Sequence, residues 1–257
     1  TLISYFVLSG DVHMRQKLSK HNLLLVGFTL FSMFFGAGNL IFPIFMGQLA
    51  GHHVWAASAG FLITGVGLPL LGVAALGVSQ KDGLLELSSQ IGRKYGVFFT
   101  CLLYLTIGPF FAIPRCATVS FTVGIEPFIS DGGKMAGLGI FSFVFFAVVL
   151  FFSLKPGQIL TWIGKILNPL FLILLSIFVI RALFSPAGNM SRIEASGAYV
   201  SGAFSTGLLE GYNTMDALAG LAFGIIVVNV IRSLDIKESG AVAKNTIKAG
   251  VFSSLLM

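Results

Sequence analysis

Residues 36–43 read Gly36-Ala37-Gly38-Asn39-Leu40-Ile41-Phe42-Pro43 and lie inside an apolar run, 22–51, NLLLVGFTLFSMFFGAGNLIFPIFMGQLAG. Gly costs a helix interior about 1 kcal/mol relative to Ala, and Pro about 3 kcal/mol. A run long enough to cross a bilayer thus carries its helix breakers at its centre. Two readings fit. One is a packing notch with a tolerated proline kink. The other is a true break, which lipid allows only where the freed backbone is buried in protein or lines a cavity. A break of the second kind presents half-helix amides to anions and freed carbonyls to cations, and the Asn39 side-chain amide adds a donor and an acceptor.

The composition sets the solvent. The chain of 257 residues is 56% hydrophobic and 10% charged, with a mean hydropathy of +0.93. Soluble domains carry roughly 25% charged residues, so this chain lacks the polar surface that water requires and reads as an integral membrane protein. Its 31 glycines and 26 phenylalanines suit close helix contacts and lipid-facing surfaces. The net charge of +6 does not point to nucleic acid: the basic residues lie between apolar runs and form no aromatic-interleaved patch. Cys101 and Cys116, the two cysteines, fall in an apolar run and read as buried free thiols rather than a disulfide framework. No spacing of residues suggests a metal site.

A crossing helix needs about 20 apolar residues. Seven candidate spans follow, at 22–49, 54–79, 96–124, 137–154, 159–184, 198–231 and from 246 onward. They divide the chain into an N-terminal cytoplasmic segment, 1–21, a first repeat of five helices, 22–184, and the start of a second repeat, 198–257. Twelve basic residues fall on one side (Arg15, Lys17, Lys20, Lys81, Arg93, Lys94, Lys155, Lys165, Arg232, Lys237, Lys244, Lys248) and three on the other (Lys134, Arg181, Arg192). The positive-inside rule places the first side, and the N-terminus, in the cytoplasm. Residues 1–13 are too short in apolar length to span, and Met14 is a plausible native start. The chain stops within an apolar run, IKAGVFSSLLM, which reads as the seventh span cut short in the N-terminal part of a longer protein.

A second interruption lies in the sixth span, where Glu210 to Asp216 read EGYNTMD. Ionisable residues at membrane depth are costly and most often functional. Spans one and six correspond in two five-helix repeats of inverted topology, and interrupted segments at matching positions point to a transport site. Arg115 is the remaining basic residue and lies within span three. At 1.5 Å per residue, Arg115 and Glu210 sit roughly 15 and 18 Å from the outer end of their spans, which suggests an intramembrane pair, with Asp216 as the second candidate partner. A structural ion pair without substrate contact is the alternative. Pro109, Pro114 and Asn168-Pro169 read as kinks, and Pro156-Gly157 as a cytoplasmic turn.

Four segments in order, FTLFSMFFGAGNLIFP, LITGVGLPLLGV, YLTIGPFFAIPRCATVSF and EGYNTMDALAGLAF, resemble the bacterial branched-chain amino acid carriers, the BrnQ-type cation symporters. The resemblance implies an all-α integral membrane protein of the amino acid–polyamine–cation superfamily. The chain would be the first seven spans of a five-plus-five inverted-repeat, leucine-transporter-like fold with broken helices one and six. It implies import of leucine, isoleucine and valine coupled to Na+ or H+ across a bacterial inner membrane. More distantly, GAGNLIFP is similar to the first-helix motif of sodium-coupled leucine transporters. That likeness implies substrate binding by the amides of Ala37 and Gly38 and by Asn39, a first ion site at Asn39, and a second at the carbonyls of Ser32 and Phe35. The second ion site also needs hydroxyls from an eighth helix outside this chain. Phe34 stands where the motif has a smaller residue. On span six the implied unwound segment is Gly211, Tyr212, Asn213 and Thr214.

The expected protein is a secondary active transporter with vectorial chemistry only, no cofactor beyond the coupling ion, a small amino acid and membrane lipid as its partners, and no nucleic acid or obligate protein partner. The rival readings are a carrier of the same fold for another small neutral substrate, a membrane-embedded enzyme, and an inactive truncated product. The enzyme would need a His/Asp/Glu cluster or an activated nucleophile, and no histidine falls deep in a span.

Overall fold

The computed structural model describes residues 18–154, 168–185, 192–234, 236 and 238–257. Residues 1–14, the Pro156-Gly157 turn and the first part of span five lie outside the described residues. The regular elements described are all helical, as apolar surroundings demand when each backbone N–H and C=O must find its partner within its own segment. In chain order they are α1 (Lys20–Phe34), α2 (Ala37–Ala50), α3 (Val54–Leu62), a π segment (Ile63–Gly67), α4 (Leu68–Ser79), α5 (Leu84–Ser88), α6 (Arg93–Leu105), a second π segment (Thr106–Phe110), α7 (Ala112–Gly124), α8 (Lys134–Ser153), α9 (Asn168–Phe184), α10 (Tyr199–Asn213), α11 (Asp216–Ser233) and α12 (Ser239–Leu256).

Four stretches among the described residues are long and apolar enough to cross a membrane: Gly38–Ser79, Arg93–Phe128, Asp131–Ser153 and Tyr199–Ser233. The first has 42 residues, which as one straight helix would run to about 63 Å, twice the hydrocarbon core. Gly51, at φ 49° and ψ −124°, turns the chain between α2 and α3, so the stretch holds parts of two passes. Leu170–Phe184 is a shorter apolar helix. α12 begins at Ser239, ahead of the position 246 expected from hydropathy. Its first turns carry Lys244 and Asn245, but Ala241, Val242, Ala249 and Gly250 are buried against neighbours, and packing by small residues holds a helix that hydropathy alone misses.

Most of the packed part of the molecule is built from spans one, two, six and seven, while a smaller core joins Leu84 of α5 and Leu103 of α6 to Ala222 of α11. One core joins Leu30 and Phe34 of α1, Val73 of α4, Val227 and Ile231 of α11 and Val242 of α12. A second joins Met46 of α2, Ala57 and Phe61 of α3 and Ala203 of α10. The first half of span one thus packs with the second half of span six, and the second half of span one with the first half of span six. The two broken spans therefore run antiparallel. Contact between α3 and α10 depends on glycine: a Cβ on Gly60 would fall on the Phe204 carbonyl, and one on Gly207 on the Ala57 carbonyl. In contrast, α8 has no buried residue and carries Phe143 and Phe151 outward, the all-round apolar surface of a helix that faces lipid or further protein.

The two ends of this bundle are tied separately. At one end Arg232 pairs with Asp82 at 2.8 Å, and Gln80 Nε2 donates to the Ser239 carbonyl at 2.9 Å. At the other, Ser196 N–H donates to the Leu49 carbonyl at 2.8 Å and His52 N–H to the Ile193 carbonyl at 3.0 Å. Asp82 and Arg232, which border two of the loops read as cytoplasmic, meet at the first end.

Gly207→Val tests the close approach. It is expected to destabilise the detergent-solubilised protein by on the order of 2 kcal/mol, the usual scale of overpacking, and to lower its melting temperature. Gly139→Val, at a position with open space around it, is expected to leave the melting temperature unchanged.

Candidate functional site

The first span is broken, not merely kinked. α1 ends at Phe34, and Phe35 (φ −71°, ψ 100°) leaves the helix. Gly36 is extended (φ −121°, ψ −172°), and α2 starts at Ala37. The break needs internal partners, and Asn39 supplies them: its Nδ2 donates to the Phe34 carbonyl at 3.1 Å, while its backbone N–H donates to the Gly36 carbonyl at 3.1 Å. The first-turn amides of α2, Ala37 and Gly38 among them, have no acceptor within the helix. Gly38 also admits the second break, since a Cβ there would lie 3.3 Å from Thr214 Cα and 3.4 Å from an Arg115 nitrogen.

The second break lies later than expected. Gly211, Tyr212 and Asn213 are still helical, as the last residues of α10, and the interruption falls at Thr214 and Met215. Met215 adopts the left-handed conformation (φ 66°, ψ 12°), which costs an L-residue about 1–2 kcal/mol and is characteristic of functional sites. Gly211 is a packing glycine: its Cβ would meet Thr64 Oγ1 and the Phe61 carbonyl. Next to that contact the π segment places Thr64 so that its hydroxyl donates to the Leu208 carbonyl at 2.7 Å. Packing against α3 and this segment holds α10 helical to its end. Thr214 then caps the junction, donating its hydroxyl to the Gly211 carbonyl at 2.8 Å and accepting from the Asp216 N–H at 3.4 Å.

Arg115 bridges to this second break. The π segment Thr106–Phe110, with Pro109 inside it and Gly108 at ψ −115°, bends span three before α7 begins. The guanidinium donates from Nη1 to the Asn213 carbonyl at 2.6 Å and from Nη2 to the Thr214 carbonyl at 3.1 Å, and lies 5.4 Å from the Phe42 ring centre. It therefore serves the carbonyls freed where α10 stops, at the negative end of that half-helix. The expected pairing with Glu210 or Asp216 is not made: no ion pair within 4.0 Å joins Arg115 to a carboxylate among the described residues. Glu210 instead accepts from Asn213 Nδ2 at 3.4 Å. Matching depth did not make a pair because bare carbonyls lay closer to the guanidinium.

A cavity of about 170 Å³ lies where these parts meet. Gly36, Gly38, Asn39, Ile41 and Phe42 line it from the first break, Ala112, Arg115, Cys116 and Val119 from α7, and Thr214 and Asp216 from the second break. Of the residues singled out from sequence, Gly38, Asn39, Arg115, Thr214 and Asp216 come together here. Glu210, Gly211, Tyr212 and Asn213 do not line the cavity, although the Asn213 carbonyl faces Arg115. Ser32 and Phe35 lie outside it too. The Ser32 hydroxyl donates to the Phe28 carbonyl of its own helix at 2.9 Å, and the Phe35 ring packs between Phe31 and Phe171. The cavity wall missed from sequence has a helical signal: Ala112, Cys116 and Val119 follow Arg115 at −3, +1 and +4, and Ile41 and Phe42 follow Gly38 at +3 and +4. Both cysteines are free but exposed rather than buried; Cys116 faces the cavity.

The helical architecture, the long apolar stretches and the paired breaks define a multi-pass membrane protein. Residues 19–257 match the family described as branched-chain amino acid transport protein, and the chain belongs to that family. It is 53% identical over 245 residues to the branched-chain amino acid permease BrnQ of Lactobacillus delbrueckii subsp. lactis, covering 95% of this chain and 55% of that protein. It is 44% identical over 242 residues to the permease BrnQ of Escherichia coli K12, covering 94% and 54%, and 43% identical over 242 residues to the permease BraB of Bacillus subtilis, covering 94% and 54%. The chain thus spans about half the length of the curated relatives it matches. No solved structure matches it.

Two substitutions test the geometry at Arg115. Arg115→Lys keeps the charge but not the fork that reaches two carbonyls, and is expected to lower the melting temperature. The exchange Arg115→Glu with Glu210→Arg is expected to be no better than either single change in expression or stability. Rescue by the exchange would restore the ion-pair reading.

Proposed function

We propose that the chain forms the substrate-binding half of a secondary active carrier that imports leucine, isoleucine and valine with Na+ or H+. The carrier would have the five-plus-five inverted-repeat fold and sit in a bacterial inner membrane, N-terminus in the cytoplasm. Membership of the transport-protein family supports the substrate class. The observation that carries the reading is the meeting of two helix breaks, from antiparallel spans, at one cavity with charges of both signs and an apolar wall.

That arrangement suits a zwitterion stripped of water. The carboxylate would meet the first-turn amides of α2 and the Arg115 guanidinium. The ammonium would meet carbonyls freed at the breaks. The branched tail would lie against Ile41, Phe42 and Val119. No covalent step is needed, so the protein is a carrier rather than an enzyme in this reading. A cation bound near the carboxylate would favour substrate binding, and the substrate would favour the cation by the same factor. Rocking of spans one, two, six and seven as a unit would expose the site to each side in turn; their shared cores support this division. The basic loops at one end of the bundle support the orientation.

Uptake of radiolabelled leucine, isoleucine and valine into cells lacking their own carriers tests the proposal. The chain as given would be run beside the reading frame extended past Met257, with and without a Na+ gradient. Saturable, gradient-driven uptake by the extended form is expected, and Arg115→Ala is expected to reduce it at least tenfold. Absence of uptake for all three amino acids, with the protein confirmed in the membrane, would reject the substrate assignment.

A further inference from the structure

Span three grips span six at two places, and the two grips differ in kind. At the break, Arg115 of α7 serves the carbonyls of Asn213 and Thr214. Those carbonyls are freed where α10 stops, so losing the bonds would leave bare backbone. Nearer the end of the bundle that holds Asp82 and Arg232, Tyr104 of α6 donates its hydroxyl to the Ala222 carbonyl of α11 at 3.2 Å. Ala222 lies inside α11, where a carbonyl already accepts from the N–H four residues on. The Tyr104 bond can therefore be released without leaving an unsatisfied group in α11.

The packing around this bond divides in the same way. Leu103, next to Tyr104, is buried with Leu84 of α5 against Ala222, and Ile107, Leu218 and Leu221 pack around them. α5 belongs to the span-three side of the contact. Its Ser88 hydroxyl donates to the Gly96 carbonyl at 3.4 Å, and a Cβ on Gly96 would fall on Ser89. On these two spans the cavity wall runs no further than Ala112 and Asp216, and the small core lies between it and the end tied by Asp82 and Arg232. It plugs the route from the cavity to that end. Between the two grips span three carries the π segment Thr106–Phe110, a feature common at functional sites. Gly108 within it has open space around it, so α6 is free to swing while α7 stays on the break.

We propose that Tyr104 is the latch of a cytoplasmic gate: its bond to the Ala222 carbonyl holds the inner half of span six against span three, and its release opens the cavity to the cytoplasm. Tyr104 does not line the cavity, so it is a positioning residue that acts through α11. The inference rests on the carrier reading for its orientation and purpose, and adds to it a division of labour within span three. Arg115 keeps hold of span six at the break, while α11, with the rest of its bundle, parts from α6. A neutral hydrogen bond made in one state and lost in the other shifts their balance about fivefold.

The test uses the reading frame extended past Met257, with Cys116 as its one cysteine, in right-side-out and inside-out membrane vesicles. A membrane-impermeant maleimide reads how fast the cavity is reached from each face. Tyr104→Phe keeps the ring and removes the hydroxyl. It is expected to speed labelling of Cys116 from the cytoplasmic face at least threefold and to slow labelling from the outer face. A merely structural role would loosen the protein and speed labelling from both faces. That result overturns the inference, and so do two unchanged rates. If Tyr104→Phe is not monodisperse, Leu103→Ala decides by the same two rates: the opposed change supports the gate, and any other pattern overturns it. Uptake of radiolabelled leucine, isoleucine and valine is measured beside the labelling. An opposed change of rates in a protein that takes up none of the three would uphold the latch and reject the carrier reading. Uptake without that change would keep the carrier reading and reject the latch.

Discussion

The two hydrogen bonds from Arg115 to the carbonyls of Asn213 and Thr214 make the rest of the arrangement possible. A helix that stops in the middle of a membrane exposes carbonyls which neither lipid nor its own ladder of backbone hydrogen bonds can satisfy. Here a guanidinium from a third span serves them. The first break solves the same problem locally, with Asn39 reaching back to the Phe34 carbonyl. One break is therefore self-contained and the other depends on span three. This asymmetry gives span three a place in the site.

Glycine sets how closely the parts approach. Gly60 and Gly207 bring α3 and α10 into backbone contact, and Gly38 lets the second break lie against the first. The contact at Gly211 and Thr64 fixes the end of α10, so the chain unwinds at Thr214 and Met215 rather than earlier. The cavity is thus a product of small residues at helix crossings and of polar residues at helix ends. Neither works alone: close crossings without breaks would give a solid bundle, and breaks without close crossings would leave bare backbone.

Much of this was legible in the sequence. Gly36 and Asn39 in an apolar run pointed to the first break, with a packing notch as the rival reading, whereas Pro43 is tolerated inside α2. The cluster from Glu210 to Asp216 announced the second to within a few residues. Its register was not legible, since Gly211 has two meanings, as a breaker and as a contact residue, and tertiary packing chose the second. The partner of Arg115 was misread for a related reason: sequence shows carboxylates but not the carbonyls that a break will free. The start of α12 was hidden by its lysines, which hydropathy counts and packing tolerates. Pro109 read as a kink, and the structure has a bend there with a π segment. The other π segment, Ile63–Gly67, was not singled out from the sequence.

The central claim, that the cavity between the two breaks holds the branched-chain amino acid, is tested most directly at Cys116. This thiol lines the cavity, while Cys101, also free and exposed, does not. Maleimide labelling of single-cysteine variants, Cys101→Ser and Cys116→Ser, would be timed with and without leucine. Slowed labelling of Cys116 at saturating leucine, with Cys101 unaffected, is the predicted result. Unchanged labelling of Cys116 in a protein shown to bind leucine would contradict it and move the site elsewhere.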